Sequence, residues 1–167
     1  GLDPLYRKYH MNLLTKYIEN GFFENWMLVL GHDEVVHLKR SLFKKMFGDK
    51  WQQFANLRLL FGNMFAMPGK KTIFMGSEFG QLEEWNHNQS LDWHLLKEPE
   101  HVGIQTLVRD LNRLYRSEPA LHQLDFEPSG LEWIHTDHDN SVISFLRKGK
   151  DPRKEKILVV SNFTPKI

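Results

Sequence analysis

Two short apolar runs, each followed directly by a polar loop, constrain the fold of this chain more than any other feature. The first run, residues 26–30, precedes Gly31-His32-Asp33-Glu34, and the second, residues 72–75, precedes Gly76-Ser77-Glu78. Continuous apolar runs of this length are typical of strands that are buried on both faces, as in parallel sheets. The residues between them are numerous enough for a helical crossover, so the pattern predicts a βαβ unit.

Helical periodicity recurs along the first two thirds of the chain. Residues 4–20 predict one helix, with an apolar face made of Leu5, Tyr9, Leu13, Tyr17 and Ile18. Asp49 and Gln52 form a capping-box pattern before the crossover helix, whose predicted apolar face consists of Trp51, Phe54, Leu57, Phe61 and Met64. Residues 104–115 predict a further helix, and Ser41 predicts the cap of a short helix over residues 42–47.

The apolar period changes from the helical value to two at about Gly130. Residues 131–134, 141–146 and 157–160 therefore predict antiparallel strands, separated by turns at residues 137–140 and 149–152. This change divides the chain into an α/β part, residues 1–123, and the start of a β domain, residues 124–167.

Charge and composition argue against several classes of partner. The 22 Lys and Arg residues nearly balance the 21 Asp and Glu residues, and no basic block stands out, which argues against nucleic acid. No apolar run approaches the ~18 residues of a membrane-spanning helix. The chain has no cysteine, which excludes disulfides and thiolate metal sites.

Three carboxylates follow the predicted strands: Asp33, Glu34 and Glu78. Carboxylates at the ends of neighbouring barrel strands can stabilise the cationic transition state of glycoside chemistry, and a neighbouring histidine can bind a sugar hydroxyl. Ion pairs with Lys39 or Arg40 would explain Asp33 and Glu34 equally well. A metal site made of His32, Asp33 and His37 is a weaker alternative, because the zinc spacing His-Glu-x-x-His is absent.

Several motifs along the chain resemble the glycogen branching enzymes of the α-amylase superfamily. The motif at the first predicted strand end is His32-Asp33-Glu34-Val35-Val36-His37. The others are Phe54-Ala55-Asn56-Leu57-Arg58, Pro68-Gly69-Lys70-Lys71, Phe74-Met75-Gly76-Ser77-Glu78-Phe79, Glu84-Trp85-Asn86-His87, Ser90-Leu91-Asp92-Trp93-His94-Leu95-Leu96, Leu107-Val108-Arg109-Asp110-Leu111-Asn112 and Ser161-Asn162-Phe163-Thr164-Pro165. Together they cover essentially the whole chain.

This resemblance implies an α/β fold: the last strands and helices of a (β/α)8 TIM barrel, followed by the beginning of an all-β C-terminal sandwich. Residues 26–30 would be the seventh barrel strand and residues 72–75 the eighth. The nucleophilic Asp and the acid/base Glu of the family lie on strands that would precede Gly1. The chain therefore resembles a fragment that needs the rest of the same barrel as its partner and is inactive alone.

The resemblance also implies an activity, which is transfer of an α-1,4-glucan segment to a 6-hydroxyl through a covalent glycosyl-enzyme. The enzyme would be cytoplasmic, would act on an α-glucan and would need no metal or organic cofactor. Asp33 would stabilise the transition state, and His32 would bind the sugar at the cleavage point. Glu78 and Trp85 are expected to bind substrate, although barrel-rim hydrogen bonding and loop packing are alternative roles for them.

Two residues depart from the family pattern. Gly31 stands where Ser or Asn is more common, and Leu38 stands where Gly is usual. If that position requires a positive backbone angle, Leu38 should strain the loop. Two alternative functions remain at this stage, namely an amylase-type hydrolase with water as acceptor and a non-catalytic glucan-binding remnant that uses the aromatic loop at residues 81–93.

Overall fold

The N-terminal segment forms two helices rather than one. The computed structural model describes residues 2–22 and 24–165. Helix α1 (Pro4–Arg7) and helix α2 (Asn12–Gly21) are separated by a 3₁₀ turn at Lys8–His10. A 3₁₀ turn has three residues per turn, so it rotates the apolar face relative to a continuous α-helix. The predicted face is therefore wrong in its N-terminal half, since Leu5, Tyr9 and Leu13 are exposed, whereas Met11 and Ile18 are buried; the side chain of Tyr17 lies outside the described residues.

The predicted βαβ unit is confirmed. Strand β1 (Met27–Leu30) and strand β2 (Lys70–Ile73) pair in parallel, from Met27 opposite Lys70 to Leu30 opposite Ile73, and helix α3 (Lys50–Ala66) crosses between them. Strand β2 begins two residues before the predicted run. The apolar pattern missed these residues because they are lysines, but the Lys70 N–H donates to the Trp26 carbonyl at 3.1 Å and so extends the ladder.

Only one face of this two-stranded sheet is covered within the described residues. Leu30 and Ile73 pack against the core between the helices, whereas Met27 and Val29 remain 58% and 52% exposed. The prediction that both faces of the first strand are buried is thus wrong for these residues, because the crossover and the following helix pack on one side.

The capping box of α3 is confirmed, with the Asp49 carboxylate accepting the Gln52 N–H and the Gln52 side chain accepting the Asp49 N–H. Helix α3 buries the predicted residues Phe54, Leu57, Phe61 and Met64, but Trp51 is 69% exposed. The predicted helix at residues 42–47 is a series of turns, because so short a segment gains few helical hydrogen bonds. Ser41 still caps its first turn, accepting the Lys44 N–H at 3.2 Å.

Helix α4 (Pro99–Ser117) packs on α3 and completes the first core. The buried members of this core are Val35, Leu42, Phe43, Phe54, Leu57, Phe61, Ile104 and Val108. It therefore includes side chains from the loop after β1, which fixes that loop to the helices.

The C-terminal part is an antiparallel meander, as predicted. Strands β3 (Leu131–Asp137), β4 (Val142–Lys148) and β5 (Lys156–Asn162) lie in the order β3-β4-β5. Ile143 and Phe145 on β4 are fully buried and belong to a second core with Met11, Ile18, Met67 and Phe163. This core joins the sheet to the N-terminal helices.

Arg147, on the same face of β4, is fully buried and links the sheet to the helical part. Its guanidinium donates to the Ala66 carbonyl at the end of α3 at 2.7 Å and to the Asp125 carboxylate at 2.8 Å. Asp125 also accepts from Lys70 at 3.0 Å and from the Tyr115 hydroxyl at 2.7 Å. One buried carboxylate thus connects β2, α4 and β4.

Candidate active site

The loop after β1 presents the two residues that the motif singled out. Gly31 is extended and leads into a 3₁₀ turn at His32–Glu34. The Asp33 side chain is 93% exposed, and its Oδ1 lies 3.5 Å from His32 Nδ1. Strand β1 therefore ends with an imidazole and an accessible carboxylate side by side, which is a pair able to bind sugar hydroxyls and a developing positive charge.

Glu34 has a different environment from Asp33. Its carboxylate binds Lys45 Nζ at 2.8 Å, and Lys45 also donates to the Glu34 backbone carbonyl. The hydrogen bond and charge of Lys45 lower the pKa of Glu34. The sequence had suggested Lys39 or Arg40 as ion-pair partners, but the partner observed for Glu34 is Lys45, because the backbone turns back between these positions.

Three residues of the next segment have left-handed backbone angles. The φ values are 58° for His37, 67° for Leu38 and 69° for Arg40. The expectation that Leu38 occupies a position suited to glycine is therefore confirmed. Its side chain is 95% exposed, so no packing around the side chain explains this conformation.

The loop after β2 positions Glu78. Gly76 and Gly80 have φ values of 90° and 73° and bracket a 3₁₀ turn at Ser77–Phe79. Glu78 lines a cavity of about 340 Å³ together with Phe65, Lys71, Ile73, Met75, Val108 and Asn112. None of these lining residues belongs to the loop that carries His32 and Asp33, so this cavity does not unite Glu78 with that pair.

Trp85, in contrast, packs directly on the loop after β1. Its backbone N–H donates to the Val35 carbonyl at 3.0 Å. Its ring meets His32 edge-on at 5.2 Å between centroids and meets Phe74 at 5.5 Å, and it packs against the first core. These contacts fit the loop-packing role, and they also place an aromatic ring next to the His32–Asp33 pair.

Glu84, to which the sequence assigned no role, binds the left-handed segment. Its carboxylate oxygens accept the backbone N–H of Leu38 at 3.2 Å and of Arg40 at 2.5 Å. The only sequence signal at Glu84 was its membership of the Glu84-Trp85-Asn86-His87 motif, because a contact across 46 positions leaves no periodicity.

The residues considered for a metal do not form a cluster here. Among the described residues, no group of three or more His, Asp or Glu side chains is arranged to hold a metal ion. The His32 and His37 rings lie edge to face, with 6.4 Å between their centroids. No helix among the described residues is long and apolar enough to cross a membrane.

Comparison with known proteins identifies relatives over nearly the whole chain. The chain is 63% identical over 98% of its length to the 1,4-alpha-glucan branching enzyme GlgB of Aquifex aeolicus, and covers 26% of that protein. It is 57% identical over 99% of its length to the corresponding enzyme of Rhodopseudomonas palustris, and 54% identical over 100% to that of Nitrobacter hamburgensis, covering 23% of each. The chain thus spans about a quarter of the length of these curated relatives.

The C-terminal sheet has a match of its own. Residues 133–167 match the family model described as the alpha amylase, C-terminal all-beta domain. The antiparallel order of β3, β4 and β5 fits that description. The resemblance to branching enzymes of the α-amylase superfamily is therefore confirmed.

Proposed function

Since the chain is similar over nearly its whole length to bacterial 1,4-alpha-glucan branching enzymes, we propose that it is a C-terminal piece of such an enzyme. In this proposal, residues 1–123 complete a (β/α)8 barrel, with β1 and β2 as its seventh and eighth strands. Residues 124–167 begin the C-terminal β-sandwich. The 63% identity to the Aquifex aeolicus enzyme is the observation that carries this proposal.

The exposed face of the two-stranded sheet supports the barrel assignment. The large apolar side chains of Met27 and Val29 are open to solvent on the strand that leads to His32 and Asp33. In a barrel, such side chains point inward and fill layers with residues of the other strands. The remaining strands of the same barrel are thus the partner that we propose for this face.

The proposed reaction cuts an α-1,4-glucan, holds the cut chain on the enzyme and transfers it to a 6-hydroxyl of another chain. Asp33 would stabilise the oxocarbenium-like transition state, for which its accessible carboxylate is suited. His32, held edge-on by Trp85, would bind the sugar at the cleavage point. The nucleophilic Asp and the acid/base Glu would come from the other part of the barrel, so the 167-residue chain alone would not turn over substrate.

Glu78 and Trp85 have subordinate roles in this proposal. Trp85 would keep His32 oriented and offer its remaining surface to a glucose ring. Glu78 would bind glucan from the cavity beside β2, at some distance from the reacting bond. The substrate is an α-glucan, no cofactor takes part, and the enzyme acts in the cytoplasm.

The test is a linkage assay on the full-length protein that contains this chain. The protein is incubated with a linear α-1,4-glucan, and α-1,6 linkages and reducing ends are counted. Branching creates α-1,6 linkages without a matching rise in reducing ends, whereas hydrolysis raises reducing ends alone. Binding without either product would support a glucan-binding remnant instead.

Asp33→Ala is the informative variant in this assay. Loss of a charge that stabilises the transition state should lower kcat by on the order of a thousandfold or more. Asp139→Ala, a change at an exposed aspartate in the turn between β3 and β4, is the matched control and should leave kcat unchanged. Branching that persists in Asp33→Ala would remove Asp33 from the mechanism.

A further inference from the structure

The left-handed segment of the loop after β1, residues 37–40, is held in a conformation that its own side chains do not favour. His37, Leu38 and Arg40 all have positive φ angles, and none of them is glycine. Backbone of this kind persists only where the surroundings impose it. The exposed Leu38 side chain supplies no such constraint, so the cause has to act on the backbone.

The Glu84 carboxylate supplies that constraint. Each of its two oxygens accepts one backbone N–H, from Leu38 at 3.2 Å and from Arg40 at 2.5 Å. Hydrogen bonds from N–H groups to an ionised carboxylate are stronger than those to a neutral acceptor. The turn at positive φ brings both N–H groups to the same side, where one carboxylate can bind them together.

The segments on either side of this contact are anchored separately. The Trp85 N–H donates to the Val35 carbonyl at 3.0 Å, and the Ser41 hydroxyl donates to the Leu82 carbonyl at 2.7 Å. Loss of the Glu84 carboxylate would leave residues 37–40 with the hydrogen bond from the Lys39 N–H to the Val36 carbonyl at 3.2 Å, while both ends of the loop stay in place. A change in this segment would affect His32 through His37, because the rings of His32 and His37 meet edge to face.

We propose that Glu84 is a positioning residue of the active site, which holds residues 37–40 in the left-handed conformation and so sets the place of His37 beside His32. This proposal rests on the branching activity proposed above. It does not make Glu84 a catalytic residue, because Glu84 acts on the substrate pocket only through the backbone of the loop.

The experiment compares Glu84→Gln with Glu83→Gln in the full-length protein. Glutamine keeps the size of Glu84 but removes the charge and turns an amide NH₂ towards a backbone N–H. Glu83 is the neighbouring acidic residue and binds the Lys44 side chain at 2.5 Å instead of the backbone. We expect Glu84→Gln to lower kcat/KM for branching by roughly tenfold, the loss expected for one charge-assisted hydrogen bond, and Glu83→Gln to have less than a twofold effect.

A second substitution distinguishes loop positioning from a general structural role. Leu38→Gly removes the steric cost of positive φ, so the loop should depend less on the carboxylate. In a double-mutant cycle, the Glu84→Gln defect should shrink by at least threefold in the Leu38→Gly background. A defect of the same size in both backgrounds would overturn the proposal.

Amide hydrogen exchange gives a readout that does not depend on activity. Exchange in a peptide spanning residues 35–41 should become roughly tenfold faster in Glu84→Gln and stay unchanged in Glu83→Gln. Unchanged exchange in Glu84→Gln would overturn the proposal even if activity fell. If the natural protein forms no branches, the proposed function fails, while the exchange result still decides whether Glu84 holds this loop.

Discussion

At the scale of single residues, Leu38 in the loop after β1 combines a left-handed backbone angle with a solvent-exposed side chain. Leu38 has a φ of 67° and a side chain that is 95% exposed, whereas the next residue, Lys39, is not among those with positive φ. A left-handed angle at a non-glycine residue costs about 1–2 kcal/mol through the close approach of Cβ and the carbonyl oxygen. The loop therefore carries strain at Leu38 that no side-chain packing offsets.

Leu38→Gly should consequently stabilise the protein by about 1 kcal/mol, because glycine adopts this angle without the Cβ contact. The change is measured as a rise in the urea midpoint of the full-length protein. Lys39→Gly is the matched control and should lower the midpoint slightly, since there glycine only adds freedom to the unfolded chain. A lower midpoint in Leu38→Gly than in the natural protein would contradict this account.

At the scale of the element, the start of α3 is specified almost entirely by local sequence. Asp49 and Gln52 exchange side-chain-to-backbone hydrogen bonds of 2.9 Å in each direction. Gly48 precedes them with a φ of 102°, and a Cβ there would approach the Gln52 Oε1 to 2.1 Å. Glycine at position 48 is thus required both by the backbone angle and by the room that the capping side chain needs.

Asp49→Ala should lower the free energy of unfolding by about 1 kcal/mol, the usual loss for a helix N-cap. The matched control is Asp110→Ala, a change at an exposed residue inside α4 whose ion pairs with Arg109 and Arg113 are long and solvent-screened. Both values come from urea unfolding of the full-length protein. Equal losses of stability in the two variants would show that the capping box stabilises the protein no more than an exposed ion pair does.

At the scale of the whole molecule, buried charge connects the C-terminal sheet to the helical part. Arg147 is fully buried, and its guanidinium reaches Ala66 on α3 and Asp125 on the connection before β3. Lys70 and Tyr115 bind the same Asp125 carboxylate. Every member of this network has a partner, as buried polar groups require.

Arg147→Met should cost about 3–5 kcal/mol, because it leaves the Asp125 carboxylate buried without its closest cation. Lys148→Met, at the next position of β4, removes a partly exposed ion pair with Glu132 and should cost less than about 1 kcal/mol. The free energies of unfolding of the two variants are compared by differential scanning calorimetry. The double variant Arg147→Met/Asp125→Asn should recover part of the loss, and no recovery would mean that packing, not charge, dominates here.

The same network predicts a dependence of stability on pH. Burial alone would raise the pKa of Asp125, but the charge of Lys71 and the hydrogen bonds from Tyr115, Arg147 and Lys70 outweigh it and lower this pKa. A carboxyl with a lowered pKa in the folded state stabilises the fold above its unfolded pKa of about 3.9. That stability is lost as pH falls below this value, because the Asp125 carboxyl binds a proton more tightly in the unfolded chain than in the folded protein.

The stability difference between the natural protein and Asp125→Asn should therefore be largest near neutral pH and should shrink as pH falls below about 4. The check is a series of urea unfolding curves between pH 7 and pH 3. Asp137, at the end of β3, has a pKa lowered by its hydrogen bonds with Asn140, and Asp137→Asn gives the comparison at a carboxylate outside this network. A difference that grows towards acid pH would contradict the assigned sign.

Local sequence determined much of this protein. The apolar runs predicted the parallel pair β1 and β2, the capping box predicted the start of α3, and the alternating period predicted the three antiparallel strands. The motif around His32 and Asp33, together with the other motifs along the chain, predicted a resemblance to branching enzymes, which the similarity over nearly the whole chain confirms. These features were readable because each depends on neighbours within a few positions, where periodicity and capping leave a pattern.

The tertiary structure decided what depends on distant parts of the chain. It paired Glu34 with Lys45 rather than Lys39 and bound the Glu84 carboxylate to backbone N–H groups of the left-handed segment. It also buried Arg147 against Asp125. It also exposed Leu5, Tyr9 and Leu13 by inserting a 3₁₀ turn between two helices. A carboxylate finds such partners through the folded path of the backbone, and no spacing rule along the sequence encodes that path.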